Sequence, residues 1–320
     1  MTKTIVFVTG ASGLVGRALC RILIENGYIV RGFGLGEQYY LQHDSIKPLL
    51  ESGSFSFEMG SIIDKLALKR AMKGCQAVVH LAAKKGATTI SDPLRCFDIN
   101  VTGTQNVLET CVETNVEHFV LASSSAVYGL PDRNPIRESD DVKPINTYGV
   151  TKLTSEELTK SFAVAFPQLS YTIARLFNVY GEISNGGFVI EMFVSQALRG
   201  ENLTIFGDGL QKRCFTHSDD IGAGILAILE KSTARNKIYN LGSPNDVMSI
   251  QELAQRVIDV LAPDKGLSVE FKNDRVNNGQ KEILESYADI SLANKDLEFM
   301  PKIPLDEGLV KLAESLRNKS

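Results

Sequence analysis

The stretch that decides the fold is TIVFVTGASGLVG, from Thr4 to Gly16. Its first half is β-branched and aromatic, which is the composition of a buried strand. Its second half places Gly10, Gly13 and Gly16 before an apolar sequence with helical spacing. Glycines let a backbone approach a pyrophosphate closely, and a helix N-terminus supplies unpaired N–H donors and the positive end of its dipole. The stretch therefore predicts a strand, a phosphate-binding turn and a helix.

The same alternation continues through the first half of the chain. LVGRALCRILIENG, which begins at Leu14, has a helical apolar face and a glycine stop, and YIVRGF follows as a second strand. CQAVVHLAA, EHFVLASS and SYTIARLF predict further strands, separated by the helical PLRCFDINVTGTQNVLETCVETN and by a helix from about Tyr148 to Phe166. Continuously apolar strands that alternate with helices indicate a parallel sheet covered on both faces. The predicted fold class is α/β.

After about Asn178 this pattern loosens. Glycines and polar turns multiply in GEISNGGF and GDGLQKR, and helical spacing returns in SIQELAQRVIDVL. We expect a dinucleotide-binding domain over residues 1–178 and a smaller C-terminal α/β portion over residues 179–320 that mainly binds substrate. The chain can cross between the two portions more than once.

Composition excludes several function classes. The chain has 320 residues, of which 43% are apolar and 22% charged, so it can bury a sizeable core. Its net charge is −4 and it has no long basic run, which argues against binding to nucleic acid or to an anionic membrane. No apolar stretch is long enough to span a bilayer, and the apolar run that begins by Ile5 leaves no room for a signal peptide. A cytoplasmic protein is expected.

The cysteines and histidines do not suggest a metal or a disulfide framework. The five cysteines include no CxxC pair, and four of them lie in predicted helices or strands, which indicates buried thiols. The four histidines are scattered without the spacing of metal ligands. No metal site is predicted.

The end of the second strand lacks an expected acid. A dinucleotide site usually has a carboxylate there, which binds the hydroxyls of the adenosine ribose. This strand ends VRGFGLGEQ, and no Asp stands near Gly34. Glu37 could reach back from the loop, whereas Arg31 could accompany a 2′-phosphate or simply face solvent. The residues at this strand end therefore leave the choice between NAD and NADP open.

Tyr148 and Lys152 are four residues apart, which places them on one face of the predicted helix. A phenol with a pKa of about 10 becomes a usable base at neutral pH when a lysine ammonium and an oxidised nicotinamide lie close by. The serine run in LASSSAVYG ends a predicted central strand. Ligands of α/β sheets bind at that carboxyl edge, so the serines, the tyrosine and the lysine are candidates for one site.

Together these motifs resemble the extended short-chain dehydrogenase/reductase superfamily, and within it the nucleotide-sugar epimerases and dehydratases. TGASGLVG, VVHLAA, NVTGT, SSSAVYG, YGVTK, RLFNVYG and IFGDGLQKRCFT occur in the family's order and spacing and cover nearly the whole chain. The resemblance implies a Rossmann-type, doubly wound parallel sheet with a smaller C-terminal substrate-binding portion. It also implies a nucleotide-sugar substrate, UDP-linked, and a homodimer.

The resemblance assigns three catalytic residues. Tyr148 corresponds to the family's base, and Lys152 to the residue that lowers the pKa of that base and holds the nicotinamide ribose. The active serine or threonine of the family lies four residues before the tyrosine of VYG, which identifies Ser124. Relatives that eliminate water carry Asp-Glu directly after this residue, and decarboxylating relatives keep a Glu two places after it. Ser125 and Ala126 stand here instead, which argues against both reactions.

The resemblance also implies binding residues. In the nucleotide-sugar half, Phe206 would stack near the base and Arg213 would bind the pyrophosphate through its guanidinium fork. The family's Asp that meets the adenine amine is replaced by Ser61. The implied cofactor-binding residues are Gly10, Ser12, Gly13, Leu14, Val15, Gly16, Gly34, Ser61, Ile62, Leu81, Ala82, Ala83, Asn100, Tyr148 and Lys152; the implied substrate-binding residues are Lys85, Ser124, Ser125, Asn178, Phe206, Arg213 and Arg275. The loop through Thr88 and Thr89 and the GEISNGGF segment are expected to shape the sugar pocket.

The predicted function is therefore a UDP-hexose or UDP-N-acetylhexosamine 4-epimerase that oxidises carbon 4 transiently with bound NAD. A reductase of a nucleotide 4-keto-sugar that consumes NADPH is the first alternative, because the acid near Gly34 is absent. A steroid- or flavonoid-type alcohol dehydrogenase is disfavoured, because its substrate has no nucleotide for the IFGDGLQKR stretch to bind. A non-catalytic, dinucleotide-sensing protein would not need Ser124, Tyr148 and Lys152 together.

Overall fold

The computed structural model describes residues 3–36, 49, 51–85, 91–182, 188–272 and 283–317. Its strands, in chain order, are β1 Ile5–Thr9, β2 Ile29–Gly34, β3 Phe55–Met59, β4 Ala77–His80, β5 His118–Ser124, β6 Ser170–Leu176, β7 Val179–Tyr180, β8 Leu203–Phe206, β9 Lys212–Cys214, β10 Thr216–His217, β11 Lys237–Leu241, β12 Val247–Ser249, β13 Val269–Lys272 and β14 Glu285–Ser286. Its helices are α1 Leu14–Glu25, α2 Lys65–Met72, α3 Pro93–Phe97, α4 Gly103–Glu113, α5 Thr147–Ala165, α6 Val189–Arg199, α7 Ser218–Glu230, α8 Ile250–Leu261, α9 Ser291–Leu297 and α10 Leu305–Arg317.

Seven of these strands form one parallel sheet in the order β11-β6-β5-β4-β1-β2-β3. Residues that alternate along each strand point to opposite faces. In β1, Val6 and Val8 pack with Leu19 of α1 and Ile221 of α7, whereas Phe7 packs with the apolar residues of α2 and α4 on the other face. This arrangement confirms the predicted Rossmann-type, doubly wound fold.

The later part of the chain builds a smaller layer and also returns to the sheet. Helices α6, α8 and α10 share an apolar core with β8, centred on buried residues such as Phe193, Leu253 and Leu309. Strand β8 pairs with β13, and β9 lies between β12 and β14. Strand β11, by contrast, pairs in parallel with β6 in the main sheet. The chain beyond residue 178 therefore contributes both to the sheet and to the second layer.

Two features of the first half differ from the sequence expectation. Strand β3 was not predicted, because FSFEM lies at the edge of the sheet, mixes apolar with polar residues and has only Phe55 buried, so it lacks a continuous apolar run. The single long helix predicted from Pro93 is instead α3, a π-helical turn at Asp98–Thr102, and α4. A Cβ on Gly103 would lie 2.5 Å from Ile62 Cδ1, so this glycine lets α4 approach the turn before α2 closely.

Among the described residues, no helix is long and apolar enough to cross a membrane. The same residues contain no group of three or more side chains placed to bind a metal ion. All five cysteines lie in buried positions within the described residues.

Candidate active site

A cavity of about 850 Å³ lies at the carboxyl edge of the sheet. Its walls are the segments that directly follow β1, β2, β4, β5 and β6, together with the start of α6. The strand order changes direction between β4 and β1. From β1 the sheet continues to β2 and β3, and from β4 it continues the opposite way to β5, β6 and β11. In open α/β sheets, the crevice above such a reversal is where ligands bind.

The glycine turn after β1 forms one end of this cavity. Gly10 has a φ of +68°, and a Cβ there would lie 2.7 Å from the Ala82 nitrogen. A Cβ on Gly16 would lie 2.3 Å from the Gly10 oxygen, so this glycine allows α1 to start directly on the turn. Gly13 precedes the first residue of α1 and provides no side-chain cap. The unpaired amides at the start of the helix therefore face the cavity, as a pyrophosphate requires.

We expect Gly10→Ala to weaken both folding and cofactor binding. A left-handed conformation costs a non-glycine residue about 1–2 kcal/mol, and at Gly10 the methyl group must also displace the backbone of Ala82. Gly27→Ala is the matched control, because Gly27 has a φ of +86° with nothing within 4 Å of its Cβ position. Thermal unfolding with and without NAD measures both effects. Equal losses in the two variants would show that the close approach at Gly10 is unimportant.

The end of the cavity beside β2, where the adenosine of a dinucleotide is predicted to lie, is largely apolar. Its described lining includes Gly34, Leu35, Gly60, Ser61 and Ile62. Leu35 is 73% exposed, as is expected of an apolar residue at the mouth of an open pocket. Glu37, the acid that could reach back, lies outside the described residues.

Arg31 does not reach this end of the cavity. Its guanidinium donates hydrogen bonds to the carbonyl oxygens of Ala71, at 3.2 Å, and Lys73, at 2.5 Å. These carbonyls belong to the C-terminal end of α2, where a cation is favoured by unpaired acceptors and by the helix dipole. The geometry therefore assigns Arg31 a capping role and removes the suggestion that it accompanies a 2′-phosphate.

Ser124, Tyr148 and Lys152 converge on the floor of the cavity. The side chain of Ser124 lies close enough to the Tyr148 hydroxyl to oppose the effect of burial on the pKa of that phenol. The Lys152 ammonium lies 5.9 Å from the centroid of the Tyr148 ring and donates to the Ala122 carbonyl at 2.8 Å. The side chains that the family resemblance predicts to act together are thus adjacent.

The start of α5 explains this convergence. The Asn146 side chain accepts a hydrogen bond from Gly149 N at 2.8 Å, which caps the helix one residue before Thr147. A Cβ on Gly149 would lie 2.5 Å from the Ala126 oxygen. The glycine therefore lets the first turn of α5 pack against the turn that follows β5. That contact brings Tyr148 to Ser124.

Burial shifts the two titrating groups in opposite directions. It raises the pKa of Tyr148 to about 12, and the Ser124 side chain opposes this rise. Burial also lowers the pKa of Lys152 to about 8, with a further contribution from the positive charge of Lys85, whereas Glu156 opposes the decrease. The protein alone therefore does not provide a phenolate at neutral pH, and additional positive charge near Tyr148 is needed.

The cavity is electrostatically suited to anions. Lys84, Lys85 and Lys152 line it, and among its described lining residues there is no Asp or Glu. The Lys85 ammonium lies 4.3 Å from the centroid of the Phe188 ring, and Lys84 pairs with Asp92 at 3.5 Å. In a chain with a net charge of −4, this concentration of cations favours phosphate-bearing ligands.

Most of the predicted site residues line this one cavity. The predicted residues in its wall are Gly10, Ser12, Gly13, Leu14, Val15, Gly16, Gly34, Ser61, Ile62, Leu81, Ala82, Ala83, Lys85, Ser124, Ser125, Tyr148, Lys152 and Asn178. Asn178 also has a φ of 20°, an uncommon conformation for a residue other than glycine and one often found at functional sites.

Asn100 lies next to the cavity rather than in its wall. It belongs to the π-helical turn and is 2% exposed. Its amide accepts from Lys84 N at 2.7 Å and donates to the Lys84 oxygen at 3.0 Å and to Thr151 Oγ1 at 2.9 Å. These bonds hold the segment after β4 against α5. The structure therefore shows Asn100 supporting the cavity wall, and direct contact with cofactor stays a prediction.

The residues predicted for the nucleotide end stand apart from the cavity wall. Phe206 is at the end of β8, and the Arg213 guanidinium donates to the carbonyl oxygens of Lys212, at 2.8 Å, and Ile283, at 2.7 Å. Arg275, Thr88 and Thr89 lie outside the described residues, as do residues 183–187 of GEISNGGF. The roles predicted for these residues stay predictions.

Several lining residues were not predicted. Asn146 carries a recognisable signal, because an Asn directly before the first turn of a helix is a typical N-cap. The other lining residues were not assigned to the site one by one, although several of them stand inside the quoted motifs and Phe188 ends the GEISNGGF segment that was expected to shape the sugar pocket. These other lining residues are Leu35, Gly60, Lys84, Ile99, Ala122, Ser123, Leu176, Val179, Tyr180, Phe188, Val189, Ile190 and Phe215.

The chain is similar to known proteins over nearly its whole length. It is 31% identical to a putative UDP-glucose 4-epimerase of Methanocaldococcus jannaschii, covering 98% of this chain and 99% of that protein. It is also 31% identical to a UDP-N-acetyl-alpha-D-glucosaminuronate decarboxylase of Bacillus cytotoxicus, covering 97% of each. The structure matches UDP-glucuronic acid 4-epimerase from Bacillus cereus, solved with UDP-glucuronic acid and NAD, with a TM-score of 0.89, 28% identity and coverage of 99% and 100%.

The chain also matches the sequence profile of a protein family. The profile of the NAD dependent epimerase/dehydratase family matches residues 6–242, a range that includes the glycine turn, the serine run and the Tyr148–Lys152 pair. This match confirms the predicted superfamily and, at the level of the family, the predicted cofactor. The chain is therefore an enzyme of the NAD dependent epimerase/dehydratase family.

Proposed function

We propose that this protein is a UDP-sugar 4-epimerase acting on a UDP-hexose or a UDP-N-acetylhexosamine. The observation that carries the proposal is the convergence of Ser124, Tyr148 and Lys152 in a cavity whose described lining contains no carboxylate. Such a site can exchange one proton at one hydroxyl group, and no carboxyl group stands among the described lining residues to act as a second acid or base.

Each of the three side chains has a distinct part in the proposed reaction. Tyr148, as phenolate, takes the proton of the sugar 4-hydroxyl, and Ser124 holds that oxygen by a hydrogen bond. Lys152 supplies the positive charge that favours the phenolate. NAD, when bound, supplies the reversible acceptance of hydride at carbon 4. Epimerisation further requires that the keto sugar turn over in the cavity before it is reduced on its other face.

The glycine turn and the adenosine end support NAD as the cofactor. The Gly10–Gly16 turn leaves space and free amides for a pyrophosphate. Arg31, engaged with carbonyl oxygens of α2, offers no 2′-phosphate site. An enzyme that consumes NADPH needs a site for the 2′-phosphate, and among the described residues at the end of β2 Arg31 does not provide one, which supports NAD as the cofactor.

The residues at positions 125 and 126 argue for epimerisation and against decarboxylation or dehydration. Decarboxylases occur among the relatives of the chain. Ser125 and Ala126 follow Ser124 here, and neither provides a carboxyl group at the reacting sugar. This difference supports epimerisation without loss of carbon dioxide or water.

Further parts of the site are proposed by resemblance. We place the sugar near Lys85, Ser125 and Asn178, and the UDP group toward Phe206, Arg213 and Arg275. The larger, mainly cofactor-binding portion is proposed to span residues 1–178 and the mainly substrate-binding portion residues 179–320. A homodimer is proposed on the same ground.

The test is an incubation of the purified protein, without added cofactor, with UDP-glucose, UDP-N-acetylglucosamine and UDP-glucuronic acid in heavy water, followed by NMR of the sugar protons. The expected product is the 4-epimer of one of the two neutral sugars, with no deuterium at carbon 4, because the hydride never leaves the site. A deuterated 4-keto-6-deoxy sugar or a pentose would contradict the proposal. Conversion of UDP-glucuronic acid alone would retain the epimerase and correct its substrate.

A further inference from the structure

The face of α5 that carries Tyr148 and Lys152 carries a third ionisable residue. Glu156 follows Lys152 at the same spacing of four, so the three side chains lie in one row. Glu156 is 0% exposed. Its carboxylate accepts a hydrogen bond from Ser123 Oγ at 2.5 Å and two from Arg175, from Nε at 3.0 Å and from Nη2 at 2.8 Å.

Arg175 extends this contact into a buried network. It is 3% exposed, and its Nη1 donates to the Tyr128 hydroxyl at 2.9 Å. That hydroxyl donates to Asn240 Oδ1 at 2.7 Å. The network therefore joins α5, β5, β6, β11 and the turn after β5, and it includes the strand that ends in Ser124.

Stability alone is a weak reason for such a pair. Withdrawing two charges from water is costly, and a well-packed apolar pair in the same place is often as stable or more so. The Glu156–Arg175 pair does, however, hold its hydrogen-bonded neighbours in one orientation, which an apolar pair would not do. Ser123 and Ser124 point to opposite faces of β5, so holding Ser123 against Glu156 sets the direction of Ser124.

Glu156 also acts on Lys152. The groups that interact electrostatically with Lys152 are His80 from β4, Lys85 from the segment after β4, Cys96 from α3 and Glu156 from its own helix. The Tyr148 ring lies 5.9 Å from the Lys152 ammonium. His80 is buried with both ring nitrogens bonded to threonine hydroxyls, and burial lowers its pKa to about 3, so it carries no charge at neutral pH. Glu156 supplies the negative charge that opposes burial and Lys85.

We propose that Glu156, paired with Arg175, is a positioning residue for the epimerase reaction, which fixes the strand end that presents Ser124 and keeps Lys152 charged beside Tyr148. This inference rests on the proposed function. It concerns residues that touch neither the sugar nor the reacting atoms, because neither Glu156 nor Arg175 lines the cavity.

Glu156→Gln tests the proposal, with Glu157→Gln as the matched control. The two positions are adjacent on α5, but the Glu157 carboxylate is on the surface, where it pairs with Lys160 at 2.7 Å. A displacement of about 1 Å in a reacting group can cost about 100-fold in turnover, and we expect a loss of kcat of about that size in Glu156→Gln. We expect the wild-type kcat and KM in Glu157→Gln, and a wild-type KM for the sugar nucleotide in both.

The pH profile separates positioning from support of the fold. Removing the negative charge of Glu156 lowers the pKa of Lys152, so Lys152 loses its proton at a lower pH. The alkaline limb of kcat/KM should therefore move to lower pH in Glu156→Gln and stay in place in Glu157→Gln. A purely structural loss would lower the whole profile without moving this limb, and that result would overturn the proposal.

The double variant Glu156→Gln, Arg175→Met addresses folding directly. Glu156→Gln alone leaves the Arg175 charge buried without its partner, whereas the double variant removes both charges. We expect the thermal midpoint to recover in the double variant and kcat to stay low. Recovery of kcat together with the midpoint would show that the pair serves only the fold.

A measurement without substrate distinguishes failure of this inference from failure of the proposed function. NMR of protein labelled in its lysine side chains follows the titration of Lys152 in wild type and in Glu156→Gln. An unchanged Lys152 pKa would overturn the inference whatever the activity. A lowered pKa in a wild-type protein that epimerises no UDP-sugar would support the placement of Glu156 and overturn the proposed function alone.

Discussion

Replacing Tyr148 with phenylalanine should reduce turnover about a thousandfold and leave the fold and the bound NAD in place. A positioned acid–base group typically increases the reaction rate 10²–10⁴-fold. The substitution removes only the phenolic hydroxyl, which lies beside Ser124. The ring stays in the cavity wall, so packing at the start of α5 is preserved. KM for the sugar nucleotide should change little, because the lost interaction belongs mainly to the transition state.

The matched control is Tyr171→Phe, since Tyr171 lies on β6 and does not line the cavity. Turnover of UDP-glucose and UDP-N-acetylglucosamine, the absorbance of NAD released on denaturation, and the thermal midpoint are measured for both variants. Retention of more than about a tenth of wild-type turnover in Tyr148→Phe, with Tyr171→Phe unaffected, would exclude Tyr148 as the base.

The parts of this structure that local sequence predicts are those that depend on periodicity and on glycine. Strand β1, the glycine turn and α1 were predictable because a continuous apolar run, close backbone approach and helical spacing each leave a local mark. The Tyr148–Lys152 pair was predictable for the same reason, since four-residue spacing on a helix fixes which side chains share a face. The superfamily followed from the order of such motifs along the chain.

The features that sequence did not predict depend on contacts between distant segments. Arg31 could be read as a phosphate ligand until the structure placed it on carbonyl oxygens of α2, some 40 residues away. The contact between Glu156 and Arg175 joins a helix to a strand 19 residues later. The cavity residues Leu35 and Ile99 are apolar positions with no local sign of their role. Tertiary packing, rather than local pattern, decides each of these cases.

The row formed by Tyr148, Lys152 and Glu156 depends on both local sequence pattern and tertiary contacts. Local spacing gives their alignment on α5, and tertiary contacts give each a different environment: the cavity for Tyr148, the Ala122 carbonyl for Lys152, and Ser123 with Arg175 for Glu156. Burial opposes the charged form of both the phenol and the amine. The reactive state, a Tyr148 phenolate beside a Lys152 ammonium, therefore depends on neighbouring charges: the carboxylate of Glu156 and the positive charge of the bound cofactor.

Lys152→Met should reduce turnover by at least about 100-fold and should abolish one limb of the pH profile. In the wild type, Lys152 is protonated below its pKa of about 8 and loses its charge as the pH rises through that value. Because the ammonium favours the phenolate of Tyr148, kcat/KM should decline above about pH 8. In Lys152→Met no charge is present at any pH, so turnover should be low throughout and this decline should be absent.

Lys160→Met is the matched control for this variant, since Lys160 lies two turns further along α5 and pairs with Glu157 at the surface. It should keep the wild-type turnover and the wild-type alkaline limb. The thermal midpoint of Lys152→Met should change little, because removal of the desolvation cost of a buried amine offsets the loss of its hydrogen bond to the Ala122 carbonyl. Turnover is measured from pH 6 to pH 10 in all three proteins. An alkaline decline that persists in Lys152→Met would assign that limb to another group and would remove Lys152 as the source of the positive charge.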